Sequence, residues 1–244
     1  MEDIKRFSEL FEEIFEKNGL SGIVTPEAVG KFAMLTDIML ETNEHMNITA
    51  ITEMEKVIPL HYADCALTAK LIPEGASVLD VGCGGGFPTL PLAILRPDLK
   101  ITALDSTEKK VRYVAQTAEA IGANVRTLSG RAEDLAAANT GYREKFDVVT
   151  SRAVARFNVL DELCLPFVNK DGVFICMKGG AGREELAEAE KGIVRLGGQV
   201  ESVEDMTLKL TDKEESRCLI TVRKVKYTPG AYPRQFAKIK KAPL

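Results

Sequence analysis

Histidine is scarce in this chain, and its cysteines keep no regular company. Two histidines, His45 and His61, in 244 residues leave no material for a histidine-based metal site. The five cysteines (Cys65, Cys83, Cys164, Cys176, Cys218) are odd in number, scattered and never spaced C-x-x-C. That argues against zinc, against a disulfide frame, and for a reducing cytoplasm. No metal is therefore expected. No apolar run approaches the roughly 20 residues of a membrane span, so no membrane partner is expected either. The N-terminal stretch is acidic and amphipathic, unlike a secretory signal. The last shortage is of acid: from Ser216 onward there is none, against eight Lys or Arg. With a net charge of −4 overall, those eight leave −12 for the preceding 215 residues. An acidic body with a basic end points to an anionic partner at one region, or else to a solvated tail.

What is present is ordinary for a globular chain: 45% hydrophobic and 28% charged residues, enough for one large domain or one domain with an extension. The organising stretch is Ser77-Val-Leu-Asp-Val-Gly-Cys-Gly-Gly-Gly-Phe-Pro88. Val78, Leu79 and Val81 read as a buried strand interrupted by Asp80. Gly82, Gly84 and Gly86 then form a loop, and Pro88 opens an apolar helix. Cys83 within the loop reads as a small side chain suited to a tight turn. A dinucleotide would need free amides for its pyrophosphate, which a carboxylate at Asp80, at the mouth of the site, would repel. Asp80 instead suits a ligand with a cationic or donating end, such as the amino group of S-adenosyl-L-methionine. A second strand, Lys100 to Leu104, ends in Asp105, placed to accept from ribose hydroxyls. The pattern resembles the cofactor site of the Rossmann-like methyltransferases, and it disfavours a nicotinamide-dependent oxidoreductase.

Taken in order, Asp3–Lys17 carries an apolar stripe (Ile4, Phe7, Leu10, Phe11, Ile14, Phe15) at helical spacing, and Thr25-Pro26 starts a second helix towards Glu41. A third helix is expected from Thr52 through His61 to Leu71. Residues 1–73 thus read as a helical extension packed on the edge of the sheet domain, 74–226 as the ligand-binding α/β domain, and 227–244 as a basic C-terminal tail. Within 74–226 strands and helices alternate as in a mostly parallel, doubly wound sheet, and the resemblance to methyltransferase sheets implies Val200–Leu210 and Arg217–Val225 as a closing antiparallel pair. Ser151-Arg152-Ala153 falls at the carboxyl end of the fourth strand. Arg152 should point into the site there, or else pair with a local carboxylate. His61 reads either as a hydrogen-bonded packing residue or as a substrate contact.

Several short pieces, in this order, are more specific: Asn47-Ile-Thr49, His61-Tyr-Ala-Asp64, Asp80 through Pro88, Asp105, Gly130-Arg-Ala-Glu133, Ser151-Arg-Ala153, Lys178-Gly179 and Tyr232-Pro-Arg234. On these the chain resembles the bacterial 16S ribosomal RNA (guanine-N7)-methyltransferases, the glucose-inhibited division protein B family, across nearly its whole length. The resemblance implies S-adenosyl-L-methionine held by Gly82, Phe87, Ala132, Glu133 and Arg152, with Asp105 on the ribose. It implies 16S ribosomal RNA or the small ribosomal subunit as partner, and a monomer is expected. Family tails continue Tyr-Pro-Arg with a glycine and proline pattern, where this chain has Gln235-Phe-Ala-Lys238. Guanine N7 carries a lone pair and no proton, so its methylation needs alignment rather than a general base. Arg152 and Lys178 are then candidates for positioning substrate, on phosphate or on the guanine O6 and N7 edge. Arg223, Lys224, Lys226, Arg234, Lys238, Lys240 and Lys241 would hold RNA phosphates, with Tyr227, Tyr232 and Phe236 available to stack on bases. Tyr232 next to Pro233 reads equally as a packed turn. A methyltransferase of another RNA, a protein or a small molecule stays open as an alternative, as does an RNA-binding module without catalysis.

Overall fold

A computed structural model describes residues 2–244. Seven strands form one sheet in the order β3-β2-β1-β4-β5-β7-β6: Ser77–Val81 (β1), Lys100–Asp105 (β2), Val125–Ser129 (β3), Phe146–Arg152 (β4), Val168–Gly179 (β5), Gly198–Lys209 (β6) and Glu214–Lys224 (β7). The first five are parallel, as the alternating pattern predicts, and β7 runs antiparallel between β5 and β6, as expected by analogy with methyltransferase sheets. β1 has neighbours on both sides reached by connections in opposite senses. The crevice at its carboxyl end is where such sheets bind ligands.

Helices α1 (Glu2–Lys17) and α2 (Pro26–Asn43) form where expected, the latter capped by Thr25, whose hydroxyl accepts from the Ala28 amide at 3.2 Å. Of the α1 stripe, Phe7, Phe11, Ile14 and Phe15 are buried, while Ile4 is 61% exposed because the helix overruns the body. These helices pack not on the sheet's edge but across its face, sharing one core with Met177 of β5, Leu208 of β6 and Leu219 of β7. Their aromatic rings run as a chain towards the carboxyl ends of the strands. Phe11 lies 5.0 Å from Phe32, Phe32 4.7 Å from Tyr62, and Tyr62 6.3 Å from Phe87.

The expected third helix is broken. Met54–Val57 (α3) passes into a π-helical turn, Ile58–Ala63, then Asp64–Ala66 (α4), and a separate 3-10 turn spans Ala69–Leu71. Wide turns of this kind recur at functional sites because they re-aim side chains; this one holds His61. On the opposite face of the sheet lie α8 (Phe157–Cys164) and α9 (Gly182–Arg195), while α5 (Thr89–Leu95) and α6 (Glu108–Ala120) lie with α1 and α2. The short α7 (Ala132–Leu135) follows β3.

The stretch after Lys226 is laid against the body and ends in a helix the sequence pattern did not show, α10 (Phe236–Lys241), anchored by fully buried Ile239. Arg143 donates to the carbonyls of Thr228 (2.7 Å) and Tyr232 (2.8 Å). Arg234 forks onto Glu162 of α8, a carboxylate with no exposed surface, at 2.9 and 2.6 Å.

Candidate active site

A cavity of about 430 Å³ opens at the carboxyl ends of β1, β2 and β4. Gly82, Cys83, Gly84 and Gly85 form its floor. Gly82 has φ +77, and a Cβ there would stand 2.5 Å from the Val154 side chain, so only glycine lets the β4–α8 loop close over it. Gly85 is equally constrained, since a Cβ would meet Ile48 at 2.7 Å. Gly86, expected among the ligand contacts, is a turn residue packed on Leu90 of α5 and does not line the cavity.

Asp105 sits where predicted, at the end of β2 on the cavity wall. One carboxylate oxygen accepts from the Gly84 amide (3.0 Å) and the other from Thr107 (2.8 Å), which fixes the loop and orients the acid. Asp80 departs from the expectation of a carboxylate at the mouth. It is 1% exposed, points from β1 towards α5, and accepts from the Thr89 hydroxyl at 2.7 Å. Burial pushes its pKa up to about 6, although the Thr89 hydrogen bond opposes that shift. Its role is to tie the strand to the helix.

Phe87, Ala132, Glu133 and Arg152 line the cavity as predicted. Glu133 accepts from Arg131 Nε at 2.5 Å, and Arg131 in turn lies 4.8 Å from the Phe236 ring of α10. Ser106, Lys110, Arg131, Val154 and Phe236 also line it. Ser106, directly after β2, was findable from the strand-end rule, whereas Lys110 reaches the cavity from the first turn of α6. Phe236, considered only as a base-stacking residue, arrives through docking of the C-terminal segment.

Arg152 reaches the cavity and also makes the ion pair that was its alternative. It donates to Asp64 Oδ2 (3.0 Å), to the Leu60 carbonyl (2.9 Å) and to His61 Nδ1 (3.2 Å). A guanidinium can only donate, so Nδ1 accepts and the His61 proton resides on Nε2, which donates to Thr49 Oγ1 at 2.9 Å. Burial, then the Arg152 charge, lowers the His61 pKa to about 3, which keeps the ring neutral. The ring stacks on Phe87 at 4.3 Å, ending the aromatic chain that begins in α1.

A second cavity of about 410 Å³ adjoins the first and shares His61, Arg152 and Ala153 with it. Lys178 lines this one, with two of its three ammonium donors directed at Glu185 (2.8 Å) and the Ala155 carbonyl (2.5 Å).

The basic residues expected on RNA divide. Lys224 is fully buried, donating to the Leu165 carbonyl (2.6 Å) and Thr228 Oγ1 (2.7 Å), with Glu144 at 3.3 Å. Burial lowers its pKa to about 8. Arg223 pairs with Glu201 and with the Asp171 carbonyl at the other end of the sheet. Lys226 is exposed there beside Gly197, and Arg234 is committed to Glu162. None of these four can serve an RNA at the cavity. Lys238, Lys240 and Lys241 remain, exposed on α10, whose first residue lines the cavity.

A doubly wound sheet with a glycine floor after β1 and an acid closing β2 defines the class: a Rossmann-like fold of S-adenosylmethionine-dependent methyltransferases. Solved structures of that fold superpose on about two thirds of the chain. Pyrococcus horikoshii TYW2 in complex with MeSAdo does so with TM-score 0.54 and 13% identity, over 68% of this chain and 62% of that one. M. jannaschii TYW2 in complex with AdoMet gives 0.51 and 17%, over 66% and 75%. Residues 29–215 match the family described as rRNA small subunit methyltransferase G. The chain belongs to that family. Ribosomal RNA small subunit methyltransferase G of Lactobacillus helveticus is 40% identical over 236 residues, 95% of this chain and 97% of that protein. The protein of the same name from Lachnoclostridium phytofermentans is 44% identical over 217 residues, 88% of each. Membership makes the chain a methyltransferase of small-subunit ribosomal RNA.

Proposed function

We propose that the chain carries a methyl group from S-adenosyl-L-methionine, held in the first cavity, to N7 of one guanine of 16S ribosomal RNA, in the cytoplasm, as a monomer and without a metal. The observation that carries this reading is the pair of adjoining cavities meeting at His61, Arg152 and Ala153, one floored by glycines and closed by Asp105. The residues of the first cavity fit the cofactor. Its volume lies within the range for ligands of that size. Asp105 is an acceptor suited to ribose hydroxyls, Ala132 and Phe87 offer apolar walls to an adenine, and Gly84 leaves its side of the cavity open. Bound there, the cofactor would supply a methyl group on a sulfonium, which the N7 lone pair would accept while the C–S pair stayed on sulfur and the positive charge passed to the guanine.

No proton has to leave N7 in that exchange, so the carboxylates that line the cavities need not act as bases. His61 is neutral, and both its nitrogens are occupied by Thr49 and Arg152. What these residues do is hold shape. The Phe87–His61 stack and the Arg152 fork onto Leu60 and Asp64 fix the wall between the cavities, so that the two reacting partners meet in one geometry. Lys238, Lys240 and Lys241 hold RNA phosphates beside the opening, without reading sequence.

The test is methyl transfer to small-subunit particles and to naked ribosomal RNA lacking the modification, followed by digestion to nucleosides and mass identification. 7-Methylguanosine at one position is the expected product. Tight cofactor binding with no transfer to either substrate would overturn the reading.

A further inference from the structure

The second cavity is divided by chemistry. Leu60, Met177 and Leu219 give it apolar walls. Most of the charge around it is spent internally: Asp64 takes Arg152 on one oxygen (3.0 Å) and Arg217 on the other (2.7 Å), and Lys178 faces Glu185. Glu215 is different. Its side chain is 29% exposed, and each oxygen receives one bond, from Lys213 at 2.7 Å and from Arg217 at 3.1 Å. Each therefore keeps an accepting position. Lys213 first, and then Arg217, hold its carboxyl below the usual range, so it is an anion at any working pH. It is the last carboxylate of an ion-pair chain, Arg152–Asp64–Arg217–Glu215–Lys213, that starts in the wall shared with the first cavity.

Resting on the reading above, we infer that the second cavity receives the target guanine, flipped out of its RNA, and that Glu215 accepts hydrogen bonds from its N1–H and 2-amino group. An atom inside a stacked strand is out of reach, so the base must leave the stack. A planar purine fits the cavity between its apolar walls. For N7 to be methylated it must face the shared wall, which turns the opposite edge of the base, N1–H and the 2-amino group, towards the far end of the ion-pair chain. Both are donors, and a carboxylate is acceptor-only. Adenine would present an unprotonated N1 there and be repelled. The same contact aids the reaction. Methylation makes the ring cationic and N1–H more acidic, so the hydrogen bond to Glu215 strengthens in the transition state and its loss lowers kcat as well as raising KM.

The experiment pairs Glu215→Ala with RNA carrying inosine at the methylated position, once that position has been mapped with the wild type. Inosine keeps N7, O6 and N1–H but lacks the 2-amino group. Wild-type protein should methylate guanosine about 10-fold faster than inosine, one charged hydrogen bond being worth about 10- to 100-fold. Glu215→Ala should slow the guanosine reaction by about 10- to 100-fold and bring the two substrates within about threefold of each other. Cofactor affinity by calorimetry should match the wild type and report a folded variant, and Glu214→Gln, one residue away and exposed, should leave both rates unchanged. If Glu215→Ala keeps the wild-type preference for guanosine, Glu215 does not read the base and the inference falls. It falls equally if the variant is faster, as removal of a carboxylate beside an RNA phosphate would make it. A wild type that methylates no guanine N7 overturns the underlying reading and the inference with it.

Discussion

Replacing Arg234 with alanine should unlatch the C-terminal segment. Its guanidinium forks onto Glu162, whose carboxylate has no exposed surface, and its own amide adds a third bond at 2.7 Å. Without the side chain, a buried carboxylate keeps one backbone donor and no counter-charge. Breaking one side of a buried pair costs about 3–5 kcal/mol. The arginine is 24% exposed and partly hydrated, so the low end, about 3 kcal/mol, applies. In a chain of this length each kcal/mol lowers Tm by about 2–4 °C, giving a fall of about 6–12 °C in thermal unfolding followed by circular dichroism. Adding Glu162→Gln should restore part of the loss, because no uncompensated charge remains. Cofactor affinity should weaken too, since Phe236, two residues on, lines the first cavity. A Tm within about 1 °C of wild type, together with a shallower salt dependence of RNA binding, would refute this: Arg234 would then be a phosphate contact and not a latch.

Exchanging Lys238, Lys240 and Lys241 for glutamine should reduce the slope of log K against log salt for RNA binding by about 2, at roughly 0.7 per phosphate contact. The same exchange at Arg223 and Lys226 should leave the slope unchanged, because those side chains lie at the other end of the sheet. Asp80→Asn should change how stability depends on pH. Burial raises the native pKa to about 6, against roughly 3.9 for an unfolded chain, so between those values the native state keeps a proton that the unfolded state has released. Stability therefore falls as pH rises through that window and stays lower above it. Asparagine removes that slope and should stabilise the protein at pH 7.5, relative to pH 4, by up to about 3 kcal/mol in urea unfolding. An unchanged slope would show that Asp80 is not the titrating group, and a loss at pH 7.5 would show that it is needed as an anion.

Asp105 and Arg152 were legible in the sequence because strand ends decide where they sit: a buried apolar run followed by a turn puts its last side chain at the crevice. Lys224 and Asp80 misled because their charge was weighed and their strand period was not. At a spacing of two, Lys224 shares a face of β7 with Ile220 and Val222, both fully buried, so the alternation already pointed it inward. Asp80 likewise shares its face of β1 with Val78, and its partner Thr89 lies only nine residues away. Arg234 is another matter, since Glu162 is 72 residues distant and no local pattern reveals it. The same holds for Phe236, on a six-residue helix too short for periodicity to register, and for His61, turned by a π-helical stretch no propensity encodes. These tertiary contributions determine what the cavities admit. Strand ends alone give a cofactor crevice open to many substrates. The N-terminal helices supply His61 and Asp64, which brace Arg152 and so make the wall between the cavities, while the C-terminal segment adds Phe236 and the exposed lysines beside it. Selectivity is therefore shared between the sheet, which carries Glu215 on β7, and elements outside it where the sequence pattern is weakest. Substitutions that displace Phe236 should weaken cofactor binding, while those at Glu215 should change which base is methylated.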